Sequence, residues 1–208
     1  MKKVLRLGRS GPVFLALGLG ALPLSAQDRG VLLLRAGDRE VGSESFTIRS
    51  DSSLRITART VFGTRNGIEL SATVDRGQTG EVGFQLERRG GQIYAVQKRN
   101  RITIRRVEQG AEQARELPGG PRTVMLADSV FSLFYQLVPL AEEAGPVNVL
   151  YPHGARRLSL TLERVPSAGG TLIRFSGGLA GEIQLGNHGE VLRIQLPSLG
   201  LEAVRKPD

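Results

Sequence analysis

From Val31 to Arg106 apolar and polar residues alternate with a period of two. In 54–62, Leu54, Ile56, Ala58 and Phe62 fall on one side together with Thr60, and Arg55, Thr57 and Arg59 fall on the other. The next segment repeats the pattern, with Ile68, Leu70, Ala72 and Val74 set against Glu69, Ser71, Thr73 and Asp75. Val82, Phe84 and Leu86 then alternate with Gly83, Gln85 and Glu87. Side chains on a strand point alternately to opposite faces, so this pattern predicts antiparallel strands with one buried and one wet face. The separators Arg65-Asn66-Gly67, Asp75-Arg76-Gly77 and Arg89-Gly90-Gly91 are turn-formers, and Asn-Gly and Gly-Gly supply the positive φ that tight hairpins need. This half of the chain reads as a meander of hairpins.

The alternation stops at Ala111–Arg115, a mixed polar stretch read as a break, and Pro118-Gly119-Gly120-Pro121 predicts a firm loop. After it, Asp128 is placed to cap a helix from about Ser129 to Glu143. Val130, Phe131, Phe134, Tyr135, Leu137, Val138 and Ala141 recur there at helical spacing, and Pro139 is expected to kink or end the helix. Three of the ten Phe and Tyr residues lie in this segment. Strands resume with Leu158, Leu160 and Leu162 against Ser159, Thr161 and Glu163. Short segments follow at 171–175, 181–185, 191–196 and 201–204, separated by glycine-rich turns. Strands at roughly ten-residue spacing predict a mainly β fold: a large curved antiparallel sheet, as a half-barrel, barrel or sandwich, with one helix packed against it.

Residues 1–26 read as a secretory signal peptide. Lys2, Lys3, Arg6 and Arg9 precede an apolar stretch from Gly11 to Leu24, and Ser25-Ala26 places small residues at a cut near Ala26. The expectation is one β-rich domain over 27–208, periplasmic or secreted. Four of the 28 basic residues and none of the 20 acidic ones fall in the leader, so the formal charge drops from +8 to +4 on its removal. That mild surplus favours anionic surfaces but not nucleic acid as a partner. With no cysteine, neither disulfides nor a lipidated cysteine is available.

Residues for chemistry are sparse. His188 sits in the turn Asn187-His188-Gly189 and His153 in the loop Tyr151-Pro152-His153-Gly154, neither within a cluster of metal-ligand spacing. No Gly-x-Ser-x-Gly elbow surrounds Ser129, and the Gly-Gly pairs lead into strands, not into the helix N-terminus that grips phosphate. The chain is therefore read as non-enzymatic, with no cofactor, no metal and no catalytic residue; a hydrolase built on His153 is a distant alternative. The run 98–106 places Arg99, Arg101, Thr103 and Arg105 on one strand face, opposite Ile102 and Ile104, as a candidate contact to an anionic membrane surface. A solvated face with charges paired to Glu87 and Glu108 would look the same.

Gly42-x-Glu44-x-Phe46-x-Ile48, and Gly189-Glu190-Val191-Leu192-x-Ile194 followed by Leu201–Arg205, resemble the first strand pair and final hairpin of a broad group of uncharacterised secreted bacterial β proteins. The layout is more distantly similar to the half-barrel carriers that shuttle lipoproteins or lipids across the periplasm, which implies a lipid or acyl-chain ligand under the helix. The residues expected to line such a site are Phe46, Phe62, Phe84, Phe131, Phe134, Tyr135 and Leu160. The leading expectation is thus a carrier of an apolar ligand. The other is a structural or interaction protein of the cell envelope with a fully packed core.

Overall fold

The computed structural model describes residues 26–51, 53–63 and 67–207. The expected leader, apart from Ala26, and Arg65 and Asn66 of one expected turn lie outside them. Eight strands follow one another as a meander: β1 (Ala26–Ala36), β2 (Arg39–Ser50), β3 (Leu54–Phe62), β4 (Ile68–Arg76), β5 (Val82–Arg88), β6 (Gly91–Lys98), β7 (Arg101–Glu108) and β8 (Ala111–Pro118). β9 (Thr123–Met125) comes next, then two short 3₁₀ helices, Ser132–Leu137 and Pro139–Glu142. The rest is β10 (Val147–Tyr151), β11 (Arg156–Ser167), β12 (Gly170–Gly177), β13 (Gly181–Leu185), β14 (Val191–Leu196) and β15 (Leu201–Arg205).

All fifteen strands belong to one sheet, in the order β8 to β1, then β15 to β9. The first and last strands pair in its middle, Leu32 opposite Arg205 and Ala36 opposite Leu201. The two edge strands are joined by only a few residues between Pro118 and Thr123. Laid flat, fifteen strands would span about 70 Å at the usual strand spacing, whereas a five-residue step reaches at most about 18 Å. The sheet must therefore roll up until its edges meet, although no ladder joins β8 to β9 and the roll is not closed. The crossing is held at one rim: Gly119 N–H donates to Asn100 O at 2.8 Å, Gln97 Nε2 to Gly120 O at 2.7 Å, and the Arg76 guanidinium to Thr123 O.

The two edges are protected in opposite ways. β8 is exposed along nearly its whole length, polar on both faces, and ends in a proline. Charge and proline on an edge discourage pairing with another chain. The same absence of an apolar face explains why 111–115 reads as a break in the sequence although it is a strand. β9 is three residues long and buried on both faces, so it shows no alternation to a sequence reader either. Its backbone is satisfied without a second neighbouring strand. Thr123 N–H donates to Gly120 O, and Thr123 O accepts from Arg76. Met125 N–H donates to Gln136 Oε1 at 3.3 Å, and Met125 O accepts from Gln136 Nε2 at 2.7 Å. The Gln136 amide thus stands in for a neighbouring strand.

β9 and β10 are parallel, Val124 opposite Val149, while every other pair is antiparallel. A parallel pair needs a long crossover, and here that crossover is the segment 126–146, folded into the concavity as a plug. The helix expected over about 129–143 is present as two 3₁₀ segments within 132–142, and its start differs from the expected one. Asp128 does not cap it: Ser129 takes a left-handed φ of 71°, and Asp128 pairs with Arg156 at 3.2 Å. Val138 divides the two 3₁₀ segments, and Pro139 opens the second at a position where its missing N–H forfeits no helical hydrogen bond.

One close approach fixes the bend between β1 and β2. The pairing shifts register between Leu34 and Arg35, and a Cβ on Gly42 would come within 2.2 Å of Val61 O. Gly42→Ala is expected to destabilise the fold by about 1–3 kcal/mol, read as a lower urea midpoint.

Candidate functional site

The concave face carries two features that could serve a function: the buried core around the plug, and a cluster of charges at the rim opposite the Gly119–Gly120 crossing.

In the core, the aromatic residues expected to line a ligand site come together. Phe46, Phe84, Phe131, Phe134 and Leu160 are each at most 4% exposed and belong to one continuous cluster. Phe62 and Tyr135 pack against it half-buried. Phe134 stacks on Phe175 with ring centroids 5.6 Å apart. These side chains belong to the same core as the plug residues Leu133 and Leu137, and the grooves at the charged rim open to solvent.

The plug is anchored by a carboxylate that faces inward. Glu44 of β2 lies opposite Thr60 of β3 in the ladder and is fully buried. Its Oε1 accepts from Ser132 N–H at 2.7 Å; its Oε2 accepts from Phe131 N–H at 2.7 Å and from Thr60 Oγ1 at 3.0 Å. The first free N–H groups of the 3₁₀ segment are thus capped from a distant strand. Burial pushes the Glu44 carboxyl above the usual glutamate value, against the hydrogen bonds from Ser132, Phe131 and Thr60 that favour its ionised form. Sequence reasoning did not single out Glu44, yet its signal is visible: it falls in the same phase as Phe46 and Ile48, where a solvated acid has no place.

At the charged rim, the inward phases of β5 and β7 continue beyond Leu86 and Ile104 into Arg88 and Arg106. Both guanidiniums pair with the single carboxylate of Glu108, Arg106 at 2.7 Å. The pairing holds Glu108 below the usual glutamate value. Across the opening, the turn between β10 and β11 brings His153 to this cluster. Burial, then the charges of Arg88 and Arg106, lower the proton affinity of His153, and its Nδ1 is buried without a hydrogen-bond partner. Among the described residues, no nucleophile or carboxylate is hydrogen-bonded to that Nδ1. His188 lies in an exposed turn where its N–H donates to Glu190 at 2.9 Å.

The expected arginine stripe is shorter than the sequence suggests. Arg99 is not on a strand: it sits in the β6–β7 turn with a left-handed φ of 54°. Arg101 and Arg105 do face outward, paired with Glu116 at 3.3 Å and Glu112 at 2.5 Å on β8. The strand read as a break supplies the acids that neutralise them.

No family model matches the chain, and no curated protein matches it. Among solved structures it is similar to a β-barrel-like protein of the domain of unknown function DUF1849 from Brucella abortus. The TM-score is 0.55 at 11% identity, over 88% of this chain and 96% of that one. The fold is β-barrel-like. At that identity the likeness extends to the fold alone, an uncharacterised β-rich architecture, and agrees with a roll whose edges approach without pairing.

Proposed function

We propose that this chain is a non-enzymatic protein of the cell envelope that works through contacts on its surface and rims, with its concavity filled by its own plug. The observation that carries this reading is the state of the residues expected to hold a ligand: Phe46, Phe84, Phe131, Phe134 and Leu160 are packed on one another and on 126–142. A lipid could occupy the same volume only if the plug left. Export rests on the basic, apolar and small-residue pattern of 1–26.

Carriage of a lipid or acyl chain is the second reading. It draws support from the curvature of the sheet and from a plug of two short 3₁₀ segments whose leading N–H groups are held by one carboxylate. Native mass spectrometry of the protein from a periplasmic fraction, followed by solvent extraction, separates the two. The expected result is the mass of the polypeptide alone, cleaved near Ala26, with no uptake when phospholipid or fatty acid is offered. A stoichiometric co-purifying lipid would overturn the filled-core reading in favour of the carrier.

A further inference from the structure

The charged rim contains more cation than its own carboxylates can neutralise. Two adjoining grooves open there and share Arg106 and Gln113. One, of about 560 Å³, is lined by Ile104, Arg106, Gln113, Ala114, Arg115 and the turn Pro152–Ala155, and contains no carboxylate. The other, of about 530 Å³, adds Arg88, Arg89 and Glu108. Glu108 is already shared between Arg88 and Arg106. Arg115 differs from the outward arginines of β7: it occupies the opposite phase of β8 from Glu112 and Glu116, lies across from Ile104, and lines the groove with no ion-pair partner among the described residues. The first groove lies between β8 and the β10–β11 turn, on the side of β8 that pairs with no strand, and the second adjoins it at the β5–β6 and β7–β8 turns.

We propose that the first groove is a binding site for a phosphate group, held by Arg106 and Arg115 with His153 on the opposite wall. Guanidiniums present paired N–H donors suited to phosphate oxygens, and a groove without competing carboxylates concentrates anions. The phosphate is carried either on a soluble molecule or on a lipid headgroup. The site does not depend on whether the plug ever leaves the concavity, and its test is independent of the lipid-uptake experiment above.

His153 reports on the site directly. The charged groups around it are Arg88 and Arg106 from β5 and β7, Glu108 at the end of β7, Asp128 at the start of the plug, and Arg115 in the same groove. Because His188 is the one other histidine in the chain, the imidazole signals of the full protein form an internally controlled pair. In an NMR titration with sodium phosphate against sodium chloride at matched ionic strength, the His153 signals are expected to shift saturably and its pKa to rise. His188 should respond alike to both salts. Arg115→Gln should weaken phosphate affinity about tenfold or more, the loss typical of a charge-assisted hydrogen bond, while Arg105→Gln on the outer face leaves it unchanged. A parallel sedimentation assay uses phosphatidylcholine vesicles with and without phosphatidylglycerol. Saturable binding of free phosphate assigns the site to a soluble ligand. Arg115-dependent binding to the phosphatidylglycerol vesicles alone assigns it to a headgroup. Equal His153 shifts in both salts, together with vesicle binding that is absent or indifferent to Arg115→Gln, would overturn the proposal.

Discussion

Gln136→Leu should lower the stability of the folded chain by about 2–5 kcal/mol, since each buried polar group left without a partner costs about 1–3 kcal/mol. The Gln136 amide both donates to and accepts from Met125, and donates to Leu133 O at 3.0 Å. Leucine has a similar volume, so the change removes hydrogen bonds without opening a large cavity. What it strands is the inner edge of β9, which has no other strand beside it. Urea unfolding checks this: the midpoint should fall with little change in slope, because the surface exposed on unfolding is nearly the same. Gln136→Glu should not rescue it, since a carboxylate cannot donate to Met125 O and would face that carbonyl unpaired. A loss below about 1 kcal/mol would mean that the edge finds another partner, since that is less than one orphaned group costs.

Glu44 is the second site of large effect. Glu44→Ala removes the acceptor from Phe131 N–H, Ser132 N–H and Thr60 Oγ1 together, with an expected cost of about 3–5 kcal/mol. Glu44→Gln retains one acceptor oxygen but turns an NH₂ group toward backbone donors, and is expected to cost roughly half as much. The pH dependence of wild type and Glu44→Gln should also diverge. The folded Glu44 carboxyl lies above its unfolded value, so the folded state binds that proton more tightly. Its contribution is fully present below the unfolded glutamate value and is lost as pH rises through the folded one. Denaturation midpoints measured from pH 4 upward should therefore show wild type losing ground relative to Glu44→Gln over that rise and running parallel above it. Carboxylates held low by arginines, such as Glu69 and Glu108, act in the opposite sense but are common to both proteins and cancel in the difference. Parallel curves throughout would show that Glu44 titrates alike folded and unfolded.

Both residues show how far the sequence could be read. β3 to β7 were legible because each buries one face, so Leu54 to Leu86 alternate as the pleat demands. The late hairpins were legible for the same reason, with glycine turns between them. The same phase argument placed Phe62 and Phe84 on the inward face, where Phe84 is buried and Phe62 packs against the core. Glu44, Thr60, Arg76, Gln97 and Arg106 are polar residues in apolar phase, and that mismatch is the one trace the buried and rim polar sites leave in the sequence. β8, β9 and β10 were not assigned as strands, because one is wet on both faces and the other two are largely dry on both, and alternation reports only the half-buried case.

By itself, then, the sequence determined the local design: strand after strand with tight turns, a one-faced core, no disulfide, and one apolar helical segment with a proline in it. The tertiary structure decided what depends on residues far apart in the chain. It rolled the sheet so that β8 and β9 approach without pairing, and sent 126–146 inside because a parallel strand requires a long crossover. It brought Glu44 to Ser132 and His153 to Arg106. Those meetings depend on where the sheet curls, and curling is set by register, bulges and the reach of one short connection, none of which a local period encodes.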